Sequence, residues 1–312
     1  MKTSSTFVRQ GTAPRLAKLG GAALLGCLLG GALVPPAANA TCASDTLAVG
    51  DTTISIIFGG RTRSYIVHKP SSGIPATGAP LVIDMHGFTS SASQQKGLSR
   101  YQQEADAKGF IAAWPSGLNA SWNGYGCCGT SLSNNVNDVG FIRAVVADIV
   151  RRTRIDETRV YITGLSNGGS MSHRLACEAA DLVAATSPVS FTLNRNSCPS
   201  GFPARPITVA HYHGLRDTTV NYNGGQFQSA PASFSTWQKI DGCTGPVATQ
   251  TLSSNNETVQ TASGCNGGVT PALISLNGTH VLYNTQSTLN IADHAWTTYL
   301  SHITLPGKTV CQ

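Results

Sequence analysis

Apolar and polar residues alternate over 52–58 and again over 61–68, with Gly59-Gly60 between the two runs. Period-two patterning marks half-buried strands, and a two-residue glycine turn joins such strands into an antiparallel hairpin. Beyond residue 80 the pattern changes. Short runs at 81–85, 109–115, 159–163, 182–188 and 207–212 have the form of strands buried on both faces. Segments of helical period lie among them, at 101–108, 139–152, 167–180 and 232–240. In the second of these, Phe141, Ile142, Val145, Val146, Ile149 and Val150 form one apolar stripe, and Asp138 suits the helix start. A last strand is predicted at 280–283 and a last helix at 294–300. The polar stretch 245–278, rich in Ser, Thr, Asn and Gly, reads as an insertion or an edge hairpin. An opening hairpin followed by buried strands alternating with helices predicts an α/β fold: a mostly parallel sheet with helices on both faces and an N-terminal antiparallel hairpin.

The first forty residues read differently. They hold Lys2, Arg9, Arg15 and Lys18 but no acid, then an apolar run from Leu19 to Val34, Pro35-Pro36, and Ala38-Asn39-Ala40. A basic start, an apolar core and a small-residue site form a signal peptide. The apolar core is short and glycine-rich for a span, which needs about 20 strongly apolar residues. Cys27 as a lipidation site fits less well, because the apolar run continues past it. The expected organisation is a signal at 1–40 and one catalytic domain over 41–312, secreted and free of the membrane once the signal is removed.

Charge and cysteine content sharpen this picture. Only 12% of the 312 residues are charged and 41% are hydrophobic, a balance that excludes a disordered chain or a coiled coil. The formal net charge is +6, and removing the four early cations leaves +2, too little for a nucleic-acid footprint. Without Cys27 eight cysteines remain: Cys42, Cys127, Cys128, Cys177, Cys198, Cys243, Cys265 and Cys311. An even set in an exported chain predicts disulfides, with 105 pairings open. Cys243 and Cys265 bracket a short polar segment, and Cys42 with Cys311 would tie the chain ends. Cys127-Cys128 has no His or second Cys pair at ligand spacing, so disulfide use is expected there and not metal.

Gly164-Leu165-Ser166-Asn167-Gly168-Gly169 matches G-x-S-x-G between a predicted strand and a predicted helix. That context matters, because a sharp strand-to-helix turn lifts the serine hydroxyl above the sheet and brings a helix N-terminus beside a developing oxyanion. A serine hydroxyl needs a base oriented by a third group. In this architecture the chain order is serine, acid, histidine. Asp217 follows the strand 207–212 in His213-Gly214-Leu215-Arg216-Asp217, at the strand end where ligands gather. His294 follows the predicted strand 280–283 and is the expected base. His302 is a rival base deeper in the last helix, and Asp181 and Asp241 are rival acids at helix ends. His211 and His213 share a strand face as a metal pair would, but no third ligand has fitting spacing. The expected oxyanion donors are the backbone N–H groups of Asn167 and Phe88. Trp122, Tyr125 and Trp296 are the candidate substrate lining.

Five motifs occur in one order: His86-Gly87-Phe88, Trp122-Asn123 before Cys127-Cys128-Gly129, Asn137-Asp138-Val139-Gly140-Phe141, Gly164 to Met171, and His213 to Asp217. Together they resemble the polyhydroxybutyrate-depolymerase-like esterases, which include secreted feruloyl and acetylxylan esterases and LpqC-type proteins. The resemblance covers roughly residues 45 to 305. It implies an α/β-hydrolase fold and the triad Ser166, Asp217 and His294. Phe88 stands where many relatives have Cys, which leaves a backbone donor intact. Ile291-Ala292-Asp293 stands where relatives have a Gly-rich lead-in to the histidine. A substrate-binding domain of the kind attached to many polyester depolymerases is not expected here.

The combined expectation is a secreted, monomeric serine carboxylic ester hydrolase without cofactor or metal. Its substrate would be an extracellular ester, either a polyhydroxyalkanoate or a feruloyl or acetyl polysaccharide. A catalytically silent binding protein and a serine peptidase are the competing readings.

Overall fold

In the computed structural model, which describes residues 45–124, 126–193, 198, 203–253, 256–284 and 289–308, the chain opens with a hairpin. Strand β1 (Gly50–Phe58) pairs antiparallel with β2 (Arg61–Lys69). Gly59 and Gly60 between them have φ of 58° and 73°, the two left-handed positions of the tight turn that suits twisted strands. The expected signal segment 1–40, Cys42, Tyr125 and Cys311 lie outside the described residues.

After the hairpin come β3 (Ala79–Met85), β4 (Ile111–Pro115), β5 (Ile155–Leu165), β6 (Ala185–Val189) and β7 (Thr208–Gly214). The chain then adds β8 (Ala248–Thr251), β9 (Thr258–Thr261) and β10 (Ala272–Leu276). Among the described residues they make one ten-stranded sheet in the order β1-β2-β4-β3-β5-β6-β7-β10-β9-β8. The six strands from β4 to β10 in that order run parallel, with β1, β2, β8 and β9 antiparallel at the two edges. This is the α/β fold anticipated from the pattern.

The helices are α1 (Ala92–Ser99), α2 (Tyr101–Lys108), α3 (Gly129–Ser133), α4 (Asp138–Arg152), α5 (Asn167–Glu178), α6 (Ala230–Ile240) and α7 (Ile291–Ala295). The Asn137 side chain caps α4 by accepting from the Gly140 N–H at 2.9 Å, which satisfies a donor that the helix start leaves free. Alternation along β3 divides the core between the two sheet faces. Leu81, Ile83 and Met85 pack with Phe141, Ile142 and Val145 of α4 and Met171 and Leu175 of α5. Val82 packs on the opposite face with Tyr101, Trp114, Trp296 and Leu300. Each such buried side chain contributes about 1.5–3 kcal/mol.

Three expectations need correction. Residues 280–283 are not a strand: Leu282–Asn284 forms a single 3-10 turn, and the strand preceding it is β10. The apolar run of β10 sits inside the stretch expected to be an insertion, of which β8 and β9 do form an edge hairpin. The last helix begins at Ile291, ahead of His294, and continues through the wider turn Trp296–Leu300. Disulfides join Cys177 to Cys198, Cys243 to Cys265, and the adjacent Cys127 and Cys128 to each other.

Candidate active site

Strand β5 runs straight into α5 through Ser166, whose φ of 54° and ψ of −117° lie where a non-glycine residue is held only by its surroundings. Two glycines permit this turn. A Cβ on Gly164 would lie 2.6 Å from the Gly168 carbonyl carbon and 2.7 Å from the Met85 carbonyl oxygen, and one on Gly168 would overlap that same oxygen. The Ser166 N–H donates to the Val189 carbonyl at 2.9 Å, which fixes the turn to β6.

The acid and the base come from adjoining loops at the carboxyl ends of β7 and β10. Gly214 is the hinge point of their approach: a Cβ there would lie 2.5 Å from the Gly278 carbonyl oxygen. The Leu215 N–H donates to the Leu276 carbonyl at 2.8 Å, and the Arg216 N–H to that of Gly278 at 2.9 Å. These bonds lay the Asp217 loop beside the loop that carries His280.

His280 Nδ1 lies 2.8 Å from Asp217 Oδ2, and His280 Nε2 lies 2.8 Å from Ser166 Oγ. Facing a carboxylate, Nδ1 carries the ring hydrogen, so Nε2 is free to accept from the serine hydroxyl. Asp217 Oδ1 accepts from the Thr219 and Val220 N–H groups, each at 2.9 Å. Behind it His213 Nε2 lies 3.4 Å from Oδ2 and donates to the Val220 carbonyl at 2.7 Å. Burial alone would raise the Asp217 pKa. Hydrogen bonds from His213 and His280, the charge of His280 and the Val220 N–H outweigh it and hold the carboxyl well below the usual range.

Ser166 and Asp217 are therefore brought together as expected, and His294 is not brought to them. Its Nδ1 lies 2.8 Å from the Tyr212 hydroxyl, within α7, which packs against the sheet. The loop after β10 supplies the imidazole instead. The signal for His280 was the apolar run Ala272-Leu273-Ile274-Ser275-Leu276, which ends a few residues before it in the same strand-end position as Asp217. Of the rivals, His302 Nε2 donates to the Thr297 carbonyl, Asp181 pairs with Arg143, and buried Asp241 accepts from the Ile207 N–H at 3.0 Å. His211 and His213 bond each other, with Nε2 2.9 Å from Nδ1. Among the described residues no group of three His, Cys, Asp or Glu side chains is arranged to hold a metal ion.

The two expected oxyanion donors flank the serine. Asn167 is the first residue of α5, so its N–H has no intrahelical acceptor. Phe88 follows Gly87, where an added Cβ would sit 3.5 Å from Ser166 Cβ. Buried His86 sets the tilt of the next peptide, since its Nδ1 donates to the Gly87 carbonyl at 2.8 Å and its Nε2 accepts from the Gly117 N–H at 2.9 Å. In a planar trans peptide the Phe88 N–H points opposite to that carbonyl.

Two of the three expected aromatic lining residues are corrected. Trp122 is fully buried, donates its indole N–H to the His86 carbonyl at 3.0 Å, and is a core residue. Trp296 is buried on the far sheet face, stacked on Phe110 with ring centroids 4.2 Å apart. Neither is placed to line a substrate. Asn167 bonds to the backbone at two points here: its Oδ1 accepts from the Trp122 N–H at 2.6 Å and its Nδ2 donates to the Cys127 carbonyl at 2.8 Å.

A parallel sheet with a serine on a strained strand-to-helix turn, met by an imidazole and a carboxylate from later strand ends, defines the α/β-hydrolase class. Comparisons with known proteins agree. A family model described as Esterase PHB depolymerase matches residues 63–196. Feruloyl esterase B of Piromyces equi is 33% identical over 232 residues, covering 69% of this chain and 42% of that protein. A bifunctional acetylxylan esterase/xylanase of Neocallimastix patriciarum is 25% identical over 227 residues, covering 70% of this chain and 31% of that protein. The acetyl xylan esterase structure from Aspergillus awamori shares the fold, with a TM-score of 0.56, 18% identity, and coverage of 78% of this chain and 98% of that one. The chain is related to the PHB depolymerase and feruloyl esterase families of the α/β-hydrolase superfamily. It spans less than half the length of the two curated relatives described.

Proposed function

We propose that this protein is a secreted serine carboxylic ester hydrolase that acts, as a monomer and without cofactor, on an extracellular ester. The observation that carries the reading is the single imidazole of His280 within hydrogen-bond distance of both Ser166 Oγ and Asp217 Oδ2, at 2.8 Å each. In the reaction, Ser166 Oγ attacks the ester carbonyl while His280 Nε2 takes its proton. The tetrahedral oxyanion is met by the Phe88 and Asn167 N–H groups, and Asp217 stabilises the imidazolium. His280 then returns the proton to the leaving alcohol, which breaks the ester bond and leaves an acyl group on Ser166. Water, deprotonated by the same imidazole, releases the acid and restores the serine.

The ester is one of the classes named at the outset, a feruloyl or acetyl polysaccharide or a polyhydroxyalkanoate. The relatives named for feruloyl and acetylxylan ester cleavage favour the first two. The test is hydrolysis of p-nitrophenyl butyrate by the wild type and Ser166→Ala. The proposal expects the variant to lose activity by at least about a thousandfold and the wild type to be blocked by a serine-directed phosphonate. Equal rates in the two proteins, or full activity after phosphonate treatment, would remove Ser166 from the mechanism and favour a silent binding protein.

A further inference from the structure

The tip of the β1–β2 hairpin forms one wall of a surface cavity of about 270 Å³. Phe58, Leu118 and Val136 give it apolar surface, and Arg61, Asn119 and Asn134 are exposed polar residues among its lining. We propose that this cavity is a subsite for a sugar ring, so that the ester cut at Ser166 is one whose alcohol side is a glycan chain. The inference rests on the esterase reading for its catalytic consequence, and on the cavity alone for binding.

Position is the first argument. β2 runs antiparallel to β4 with Tyr65 opposite Pro115, so the start of β2 and the end of β1 lie at the carboxyl end of the parallel strands. Ser166 stands at that same end. The turn that lines the cavity is also tied to the loop beside the serine. The Thr89 N–H, one residue past the expected oxyanion donor Phe88, donates to the Ala120 carbonyl at 2.9 Å. The Phe88 ring lies so close to Gly129 that a Cβ there would be 2.5 Å from it, and next in the chain Thr130 Oγ1 accepts from Asn119 Nδ2 at 2.9 Å. The 118–120 turn thus stands between the oxyanion loop and the cavity, and a substrate extending from that loop on this side would reach the cavity over it.

Chemistry is the second argument. The Asn119 amide donates an N–H to Thr130, and its carbonyl oxygen remains an acceptor for a ligand hydroxyl. Arg63 is already committed, bonded to Asp138 at 3.0 Å and to the Ser116 carbonyl at 3.2 Å, while no carboxylate among the described residues pairs with Arg61. A purely apolar occupant would strip water from the amides and the guanidinium without replacing their bonds, which is costly. A cation would meet Arg61 and no carboxylate in the lining. A small phosphate-like anion could use Arg61 and the amide N–H groups but would leave the apolar floor uncovered and the amide oxygens without a donor. A pyranose ring matches both halves: its C–H face covers Phe58, Leu118 and Val136, and its hydroxyls donate to the amide oxygens and accept from the N–H groups. The polyester alternative offers no hydroxyl donors along its chain, so these groups favour a polysaccharide ester.

The test compares Arg61→Ala/Asn134→Ala with the wild type on two esters of one acid, methyl ferulate and a feruloylated arabinoxylo-oligosaccharide. Both altered residues are exposed and stand apart from the triad. KM for the oligosaccharide ester is expected to rise about tenfold with kcat unchanged, as loss of one or two hydrogen bonds implies, while both constants for methyl ferulate stay the same. An unchanged KM for the oligosaccharide ester, or equal losses on both substrates, overturns the subsite. A second arm reads binding alone: saturation transfer from Ser166→Ala to unesterified xylohexaose is expected, and is expected to vanish when the two cavity substitutions are added. No transfer, or transfer that survives them, overturns the subsite while leaving methyl ferulate hydrolysis intact. Failure of the esterase reading looks different, as a wild type that cuts neither ester.

Discussion

At the scale of single residues, the site depends on which atom of each ring is already in use. His280 has both nitrogens engaged, one by a buried carboxylate and one by a hydroxyl, which is the arrangement a base needs to take a proton in one direction. His86 works at one remove. By holding the Gly87 carbonyl it fixes the tilt of the peptide that carries the Phe88 N–H, the proposed oxyanion donor, so His86→Ala should lower kcat by roughly 10- to 100-fold, less than outright loss of a donor, with KM little changed. Steady-state kinetics on p-nitrophenyl butyrate check this, and a rise in KM at constant kcat would contradict it. Ser166 and Asp217 were legible in the sequence because each follows a recognisable strand within a short motif. His280 was not, although the same logic applies to it. Its strand hides in a polar stretch, and Leu282 and Tyr283 after it look like strand residues but form a single turn. His294 looked suitable because it follows the expected strand 280–283 and opens the expected last helix, yet inside α7 its ring faces the Tyr212 hydroxyl.

At the scale of elements, the close approach of β3, β5 and α5 sets where the hydroxyl stands. The tightest point is Gly168, whose missing side chain leaves room for the Met85 carbonyl at the end of β3. Gly168→Ala would force the helix away from the strand and so tilt Ser166 off its line to His280. Overpacking of this kind costs about 1–3 kcal/mol. A fall of several degrees in Tm together with reduced kcat is expected, and thermal unfolding with activity on the same preparation would check it; an unchanged Tm would contradict the packing account. The glycines of the serine turn could be read from sequence, whereas that of Gly214 could not, because its neighbour is the loop after β10 and no local pattern reports it. Likewise Trp122 and Trp296 lie near motif residues in the chain, but their indoles fill opposite faces of the sheet.

At the scale of the whole molecule, the far sheet face holds a carboxyl that the proposed reaction does not use. Asp84 of β3 is fully buried, with Gln95 Nε2 2.8 Å from one oxygen and Trp114 Nε1 2.9 Å from the other. Burial outweighs these bonds and pushes its pKa from 3.8 up to about 7. A folded-state value above the unfolded one means that the native state binds the extra proton. The stability linked to Asp84 is therefore complete below about pH 4 and is lost as pH rises through about 7. Asp84→Asn removes the titration, so the drop in urea midpoint between pH 5 and pH 8 should be smaller in the variant than in the wild type, whatever the loss in absolute stability. Parallel pH dependence in the two proteins would contradict this assignment.

The measurement that bears most directly on the site is kcat/KM for p-nitrophenyl butyrate in His280→Ala and His294→Ala, made side by side. Removing the base should cost His280→Ala roughly a hundred- to ten-thousandfold, while His294→Ala stays within about threefold of the wild type. If the larger loss falls on His294→Ala, the geometry around Ser166 is not the one that performs the reaction.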